Sequence, residues 1–369
     1  MRIFTLQSSG ISEVDEQLAL TELRLPEQGY LWMSCARQEF ASLQAQIQAA
    51  LQSLCGMQLV DLHISDLLNN QLPSHYDYTS QYDVLVFRRL AASSGAEAPE
   101  LADAARAKRS GPPILKRIDT SPVGFAVFDN VLLTVHPGDC AVRDAYASKL
   151  LSAVRTPGLG SPRLPSSPAD LMLRIVNQMV DGYLELRREL TRQLDHWQAE
   201  LLNPRTRFNN WGTLLDARLS LHQLDQVCED QRTAVQDWIE SLKLWPDAQT
   251  PASQRERELL NVRSRDVLEH IERVVHHVRR LEQNAETAVQ MHFSAQSNRT
   301  NDIMRTLTVL TAIFLPLNLI AGIFGMNFDF LPLIHTSSGF WWAMSAMLLI
   351  ALALVLVFWR KRYLEHSGR

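Results

Sequence analysis

NDIMRTLTVLTAIFLPLNLIAGIFGMN, residues 301–327, is the stretch whose reading decides the architecture of this chain. It carries no charge after Arg305, and about 20 apolar residues suffice to cross the hydrocarbon of a bilayer. The stretch is not uniformly apolar. Alternating steps of three and four connect Asn301, Met304, Thr308, Thr311, Leu315, Asn318, Gly322 and Gly325. These share one face of a helix, and most of them are small or polar. Lipid cannot satisfy such a face, so it must meet protein or water. A pore lining and a helix-packing seam both fit, the second because Gly322 lets helices approach closely.

Toward the C-terminus, FWWAMSAMLLIALALVLVFW (340–359) is a second uncharged span with tryptophans at both ends, where amphipathic rings prefer the membrane interface. Arg360, Lys361 and Arg362 follow it, and Arg299 and Arg305 flank the inner end of the first span. The connecting loop, 326–339, holds no Lys or Arg. Positive flanks face the cytoplasm, so both termini are expected on the cytoplasmic side of the cell inner membrane and the loop outside. Two spans cannot enclose a conduit alone. A lined pore therefore requires several copies in a ring.

Toward the N-terminus the chain reads as helical back to Ala169. Leu171, Leu173, Val176, Met179, Val180, Tyr183, Leu186 and Leu190 alternate at threes and fours; a break at Asn203-Pro204 leads to a second helix, 214–244. A third starts near Ser253, with an apolar stripe from Val262 through Val267, Leu268, Ile271, Val274, Val275, Val278, Leu281, Ala285 and Ala288 to Val289. No Pro or Gly interrupts residues 252–315, so one long helix is expected to leave the cytosol and become the first span. A helix of that length persists only by packing, which implies a bundled or oligomeric stalk.

The Pro- and Gly-rich segment 155–168 marks a boundary. Before it, residues 1–165 read as a mixed α/β domain. Strands are expected at 29–33, 82–87, 123–128 and 131–136, the last two joined as a hairpin by Asp129-Asn130. Helices are expected at 39–54 and 61–68, and a loop over the Ala- and Ser-rich segment 91–113. A net charge of −4 without a basic run gives no sign of nucleic-acid binding, and 46% apolar residues is ordinary, so the membrane signal is local. The four cysteines, Cys35, Cys55, Cys140 and Cys228, lack metal or redox spacing and fit free thiols in a reducing compartment. The N-terminus lacks the apolar core of a signal peptide. No nucleophile motif, nucleotide loop or dinucleotide fingerprint appears. The chain is not read as an enzyme and no organic cofactor is expected.

Ile323-Phe324-Gly325-Met326-Asn327-Phe328 resembles the Gly-Met-Asn signature that ends the first span in the CorA-type magnesium channel family. The likeness extends upstream through Ser297-Asn298-Arg299-Thr300-Asn301, Met304, Leu307-Thr308, Ile313-Phe314-Leu315-Pro316-Leu317 and Ile320-Ala321-Gly322-Ile323. Arg265-Asp266-Val267-Leu268-Glu269-His270 is similar to the family's stalk motif, and residues 265–332 carry the clear resemblance. The N-terminal domain is similar only loosely, at Asp66-Leu67-Leu68-Asn69 and Tyr82-Asp83.

The resemblance implies an α+β membrane protein that assembles as a homopentamer among membrane lipids. Its parts are a cytosolic α/β domain (1–165), a helical stalk (166–302), a pore-lining span (303–325), an external loop (326–339), a second span (340–359) and a basic cytosolic tail (360–369). It further implies passive conduction of Mg²⁺, which is both cargo and regulator. Gly325, Met326 and Asn327 would form the filter. Asn301, Met304, Leu307, Thr308, Thr311, Leu315, Asn318 and Gly322 would line the pore, with Asp329 as the cation-capturing carboxylate of the loop. Asp266, with Glu269 one turn away, would sense intracellular Mg²⁺; no acidic partner from the N-terminal domain is identifiable, and Glu97, Glu100 and Asp103 sit in the expected loop. Leu333 stands where the family commonly has an acidic residue, and His335 suits a softer ion. The alternatives are a Zn²⁺ or Co²⁺/Ni²⁺ carrier of the same family, proton-coupled in one form, and a non-conducting anchored scaffold or sensor.

Overall fold

The computed structural model describes residues 1–7, 10–14, 20–90, 119–138, 141–155, 164–202, 211–245, 250–326 and 338–360. The expected loop over 91–113 and most of the boundary segment 155–168 lie outside them.

The N-terminal part is built on a seven-stranded sheet in the order β2-β1-β3-β7-β6-β5-β4. The strands are β1 (Arg2–Gln7), β2 (Gly10–Glu13), β3 (Tyr30–Ala36), β4 (His75–Tyr78), β5 (Asp83–Leu90), β6 (Thr120–Val127) and β7 (Val131–His136). Only the central β3–β7 pair is parallel, with Leu31 opposite Val131 and Cys35 opposite Val135. The β6–β7 hairpin pairs Val127 with Leu132. Both central strands are buried on both faces, as expected of strands covered on two sides. The edge strands β2 and β4 are polar and partly exposed.

Two helices, α1 (Arg37–Cys55) and α2 (Asp61–Leu68), cover one face. Phe40, Ile47, Leu51, Ile64 and Leu67 pack there against Leu31, Met33, Val84 and Leu133. The α1 helix starts with Glu39 accepting the Ala36 amide at 2.8 Å. It ends at Gly56, whose φ of 76° is the left-handed cap conformation that glycine adopts without a Cβ penalty. A further helix, α3 (Ala141–Arg155), follows the hairpin.

Helices α4 (Pro168–Leu202) and α5 (Trp211–Leu244) pack on the other face of the sheet. The Arg88 carbonyl of β5 accepts from Tyr183 of α4 at 3.0 Å and from Gln231 of α5 at 2.6 Å. One strand carbonyl thus fixes both helices. The long α6 (Pro251–Phe324) is followed by α7 (Gly339–Arg360). Pro opens both α4 and α6, where its missing N–H costs nothing. Ser167 and Thr250 precede these prolines and accept the amides of Asp170 and Ser253 at 3.3 and 3.2 Å, the expected N-cap chemistry.

The chain divides into two compact units, Met1–Glu286 and Thr287–Arg369. Within the first, α6 buries Leu260, Ser264, Val267, Ile271, Val274, Val278, Leu281 and Ala285, at alternating steps of four and three. Trp238 of α5 donates to Ser264 at 2.9 Å across this seam. The expected stripe needs one correction: Val262 is 64% exposed and lies off the packed face. It stands midway between Leu260 and Ser264, and a two-residue step carries a side chain to the far side of the helix.

Candidate functional site

The residues proposed to line a pathway lie on the second unit's share of α6. Asn301, Met304, Leu307, Thr308, Thr311, Leu315, Asn318 and Gly322 are all exposed in the single chain, as are Gly325 and Met326. Val309, by contrast, is buried. Other sides of the segment, at Ile303, Leu310, Phe314 and Leu319, are exposed as well, and what distinguishes the stripe is its alternation of wet and dry levels: amides at Asn301 and Asn318, hydroxyls at Thr308 and Thr311, and apolar side chains at Met304, Leu307 and Leu315.

Both hydroxyls donate within their own helix, Thr308 to the Met304 carbonyl at 2.7 Å and Thr311 to the Leu307 carbonyl at 2.8 Å. Each hydroxyl oxygen keeps lone pairs free to accept from water. The threonines can therefore face an ion's hydration shell only as acceptors, which suits a cation. Pro316 lies inside the helix and supplies no N–H to the Ala312 carbonyl one turn earlier.

At the C-terminal end of α6 the Gly325 amide bonds the Ala321 carbonyl at 2.9 Å and the Met326 amide bonds that of Ile323 at 3.2 Å. The helix thus tightens into its last turn. A Cβ on Gly325 would lie 3.1 Å from the Ala321 oxygen, so glycine allows this closure. Helix C-termini leave carbonyls without internal partners and carry partial negative charge, which favours a cation there. Asn327 and Asp329 lie outside the described residues, as do Leu333 and His335.

The candidate regulatory residues sit on α6 in the first unit. The Asp266 and Glu269 side chains are 57% and 61% exposed. His270 lies 3.8 Å from Asp266, and Arg273 pairs with Glu269. Among the described residues no group of three His, Cys, Asp or Glu side chains converges as a metal site. One protomer offers Mg²⁺ two outward carboxylates and, among those residues, no cage. Glu97, Glu100 and Asp103 lie outside the described residues.

A cleft of about 230 Å³ adjoins Asp266, lined also by Tyr146, Lys149, Asn177, Gln178 and Asp181. Beside it lies a feature that sequence reading missed. Asp170 is fully buried at the start of α4 and is held by Arg174 at 3.1 Å and by Arg263 of α6 at 2.5 Å. Its carboxylate also accepts the Ser166 amide at 3.1 Å. Burial pushes the neighbouring Tyr146 hydroxyl up to about 12. This clamp ties α6 to α4 one turn from Asp266. An acidic residue three positions after Ser167, at a Ser-Pro helix start, was its only sequence signal.

The sequence matches the family described as CorA-like Mg²⁺ transporter protein over residues 38–362. The chain belongs to that family. Among CorA relatives, the cobalt/magnesium transport protein CorA of Thermotoga maritima is 27% identical over 195 residues, 53% of this chain and 52% of that protein. The chain thus spans about half the length of that curated relative. The putative metal ion transporter YfjQ of Bacillus subtilis is 26% identical over 253 residues, 66% of this chain and 71% of the relative. The fold matches the complete structure of the CorA magnesium transporter from Methanocaldococcus jannaschii. That match has a TM-score of 0.68 at 20% identity and covers 100% of this chain and 98% of the other.

Membership gives the two long apolar helices their meaning. An α+β membrane protein of the CorA type carries a mixed-sheet N-terminal domain, a long helix and two apolar C-terminal helices. The loosely similar N-terminal residues are packing groups here. The Tyr82 hydroxyl accepts the Val60 amide at 3.0 Å and meets His63 at 2.9 Å. Asp83 takes the Tyr76 hydroxyl.

Proposed function

We propose that the chain is one subunit of a homopentameric channel that admits Mg²⁺ passively into the cell, with both termini in the cytoplasm. The observation that carries this reading is the chemistry of one face of α6. From Asn301 to Gly325 it alternates amide, hydroxyl and apolar levels, and none of its stripe residues is ionisable. A lipid-facing helix has no use for that pattern, and a ring of copies turns it into a wet conduit. The names of the relatives, magnesium and cobalt/magnesium transport proteins, support the same cargo.

Mg²⁺ is small and sheds water reluctantly. A ring of Asn327 amides with Gly325 and Met326 carbonyls accepts hydrogen bonds from its waters and leaves the shell intact. Neutral oxygens hold the ion weakly enough for it to leave. Five copies of Asp329 at the mouth would concentrate cations. Asn318, Thr311, Thr308 and Asn301 would supply acceptor rings farther in. Met304, Leu307 and Leu315 form constrictions that close by dewetting. An inside-negative potential contributes about 2.3 kcal/mol per charge per 100 mV, doubled for a divalent ion.

For regulation, Asp266 and Glu269 meet a neighbouring subunit, and intracellular Mg²⁺ bridging them holds the stalk closed. Two exposed carboxylates, with no complete cage among the described residues of one copy, fit a site completed by water and a second subunit.

The test is flux of Mg²⁺, Co²⁺, Ni²⁺ and Zn²⁺ into proteoliposomes for the wild type and Asn327→Ala. Mg²⁺ flux that the substitution lowers is expected, because it removes one polar ring from the filter. Flux of no ion would leave the scaffold reading, zinc preference with pH-gradient dependence the carrier reading, and unchanged flux in Asn327→Ala would remove that residue from the filter.

A further inference from the structure

The cleft beside Asp266 holds two oxygens that the protein leaves without a donor. Asn177 and Gln178, neighbours on α4, line it. Their side-chain oxygens, Oδ1 and Oε1, are buried and accept no hydrogen bond among the described residues. A buried amide oxygen without a donor costs free energy, so two in one cleft call for an explanation. The adjoining guanidiniums do not supply it, because Arg174 and Arg263 are turned to Asp170.

The third cation of the lining is Lys149. It stands on α3, which burial of Tyr146, Ala147 and Leu150 anchors while Lys149 itself stays exposed. Its ammonium carries three donors on a flexible four-carbon stem. Three donors match two amide oxygens and one carboxylate, and Asp181 and Asp266 line the same cleft. Charge leads to the same partner. Arg174 and Arg263 together exceed Asp170 by one positive charge. With Lys149 inside, two positive charges meet two carboxylates, Asp181 and Asp266, and the cleft is balanced. A divalent cation drawn to Asp266 upsets that balance unless the ammonium swings out, because like charges repel strongly where water is scarce.

We infer that Lys149 is a tethered ammonium that docks on Asn177, Gln178 and Asp266 when intracellular divalent cation is scarce and is displaced when the cation binds. It thereby sets the concentration at which regulation begins. The inference rests on the regulatory reading of Asp266 and adds to it a competitor carried by the same subunit. The apparent affinity of the site falls with the fraction of time the ammonium leaves it open, so α6 stays unlocked until the cation is abundant.

The test is the Mg²⁺ concentration that half-protects the full-length protein from chymotrypsin, which does not cut at lysine. Lys149→Met keeps the stem and loses the charge, so protection is expected at severalfold lower Mg²⁺, as removing a nearby like charge from a cation site should give. Lys149→Arg keeps the charge and should stay near the wild type. Gln178→Leu removes one docking oxygen and should shift the concentration in the same direction as Lys149→Met. The double variant should shift it no further than Lys149→Met alone, because the two changes act through one contact. An unchanged concentration in Lys149→Met would overturn the inference and leave water as the partner of the two oxygens. An equal shift in Lys149→Arg would overturn it as well, since charge would not be the cause, and summed shifts in the double variant would overturn the docking. No protection of the wild type at any Mg²⁺ concentration would remove the regulatory reading and this inference with it.

Discussion

The two ends of α6 obey the same seven-residue alternation in different surroundings. Before Glu286 its inward face is a packed seam running from Leu260 to Ala285, with charge left on the outward face at Asp266, Glu269, Arg273 and Arg280. Beyond Thr287 the helix buries almost nothing; Ala288 and Val309 are the exceptions. There the outward stripe loses its ionisable groups. Period alone therefore cannot tell a structural seam from the face proposed to conduct. What separates them is the chemistry at each repeat: apolar and β-branched where the helix packs, amide, hydroxyl and apolar levels in turn along the stripe from Asn301 to Gly325.

This contrast predicts unequal responses to substitution. The largest effect is expected in the packed region. Asp170→Ala strands Arg174 and Arg263 without their shared carboxylate, and losing one side of a buried ion pair costs about 3–5 kcal/mol. Urea unfolding of the first unit's signal in the full-length protein should lose that much, while Asp170→Asn keeps the shape and loses less. A cost below about 1 kcal/mol, the range of an exposed pair, would mean the clamp contributes little. Gly325→Ala should scarcely change unfolding yet cut Mg²⁺ flux severalfold, because its Cβ presses on the Ala321 carbonyl 3.1 Å away. Unaltered flux would separate that turn from conduction.

Smaller effects sharpen the boundary. Ser264→Ala leaves the Trp238 indole N–H without its partner inside the seam, a loss of about 1–3 kcal/mol, to be read from the unfolding midpoint. Asp266→Ala, on the outward face, should leave stability unchanged and weaken Mg²⁺ protection of the cytosolic unit from protease. Full protection would take Asp266 out of the regulatory site.

The smallest effect is a pH dependence. Burial and the nearby Arg187 and Arg280 hold His277 below its ordinary value of 6.5. The unfolded chain therefore binds the proton more readily, so stability is intact above pH 6.5 and falls as pH drops below it. Thr191 already donates to the Arg187 carbonyl, which leaves the His277 ring to donate to the Thr191 oxygen at 2.9 Å. A glutamine in place of His277 keeps a donor without titrating, so the acid loss should flatten in His277→Gln. An equally steep loss would assign it to other groups.

Much of this is legible in the residues. The bounds expected for β7 and α2 are those they have, and the unbroken α6 follows from the absence of Pro and Gly over 252–315. Strands β1, β2 and β4 and helix α3 leave no such mark. The His75–Tyr78 strand is four polar or aromatic residues at a sheet edge, where pairing rather than burial makes the strand, so hydrophobic pattern says nothing. The stripe from Asn301 to Gly325 is readable because a membrane forbids polar residues without cause. Asp170 is not, since a buried clamp depends on Arg263, which is distant in sequence, and no local spacing announces that meeting. The carboxylates proposed to regulate, Asp266 and Glu269, emerge by resemblance, because two exposed acidic side chains on a helix carry no local signal that separates them from a solvated face.

The central claim is that the outward face of α6 conducts, and the measurement that tests it most directly is Mg²⁺ influx into proteoliposomes containing only this purified chain, without nucleotide or pH gradient. Influx down the Mg²⁺ gradient is expected, rising with an inside-negative potential and reversing when the gradient is reversed. No influx above protein-free vesicles, or influx only with a pH gradient, would contradict the claim.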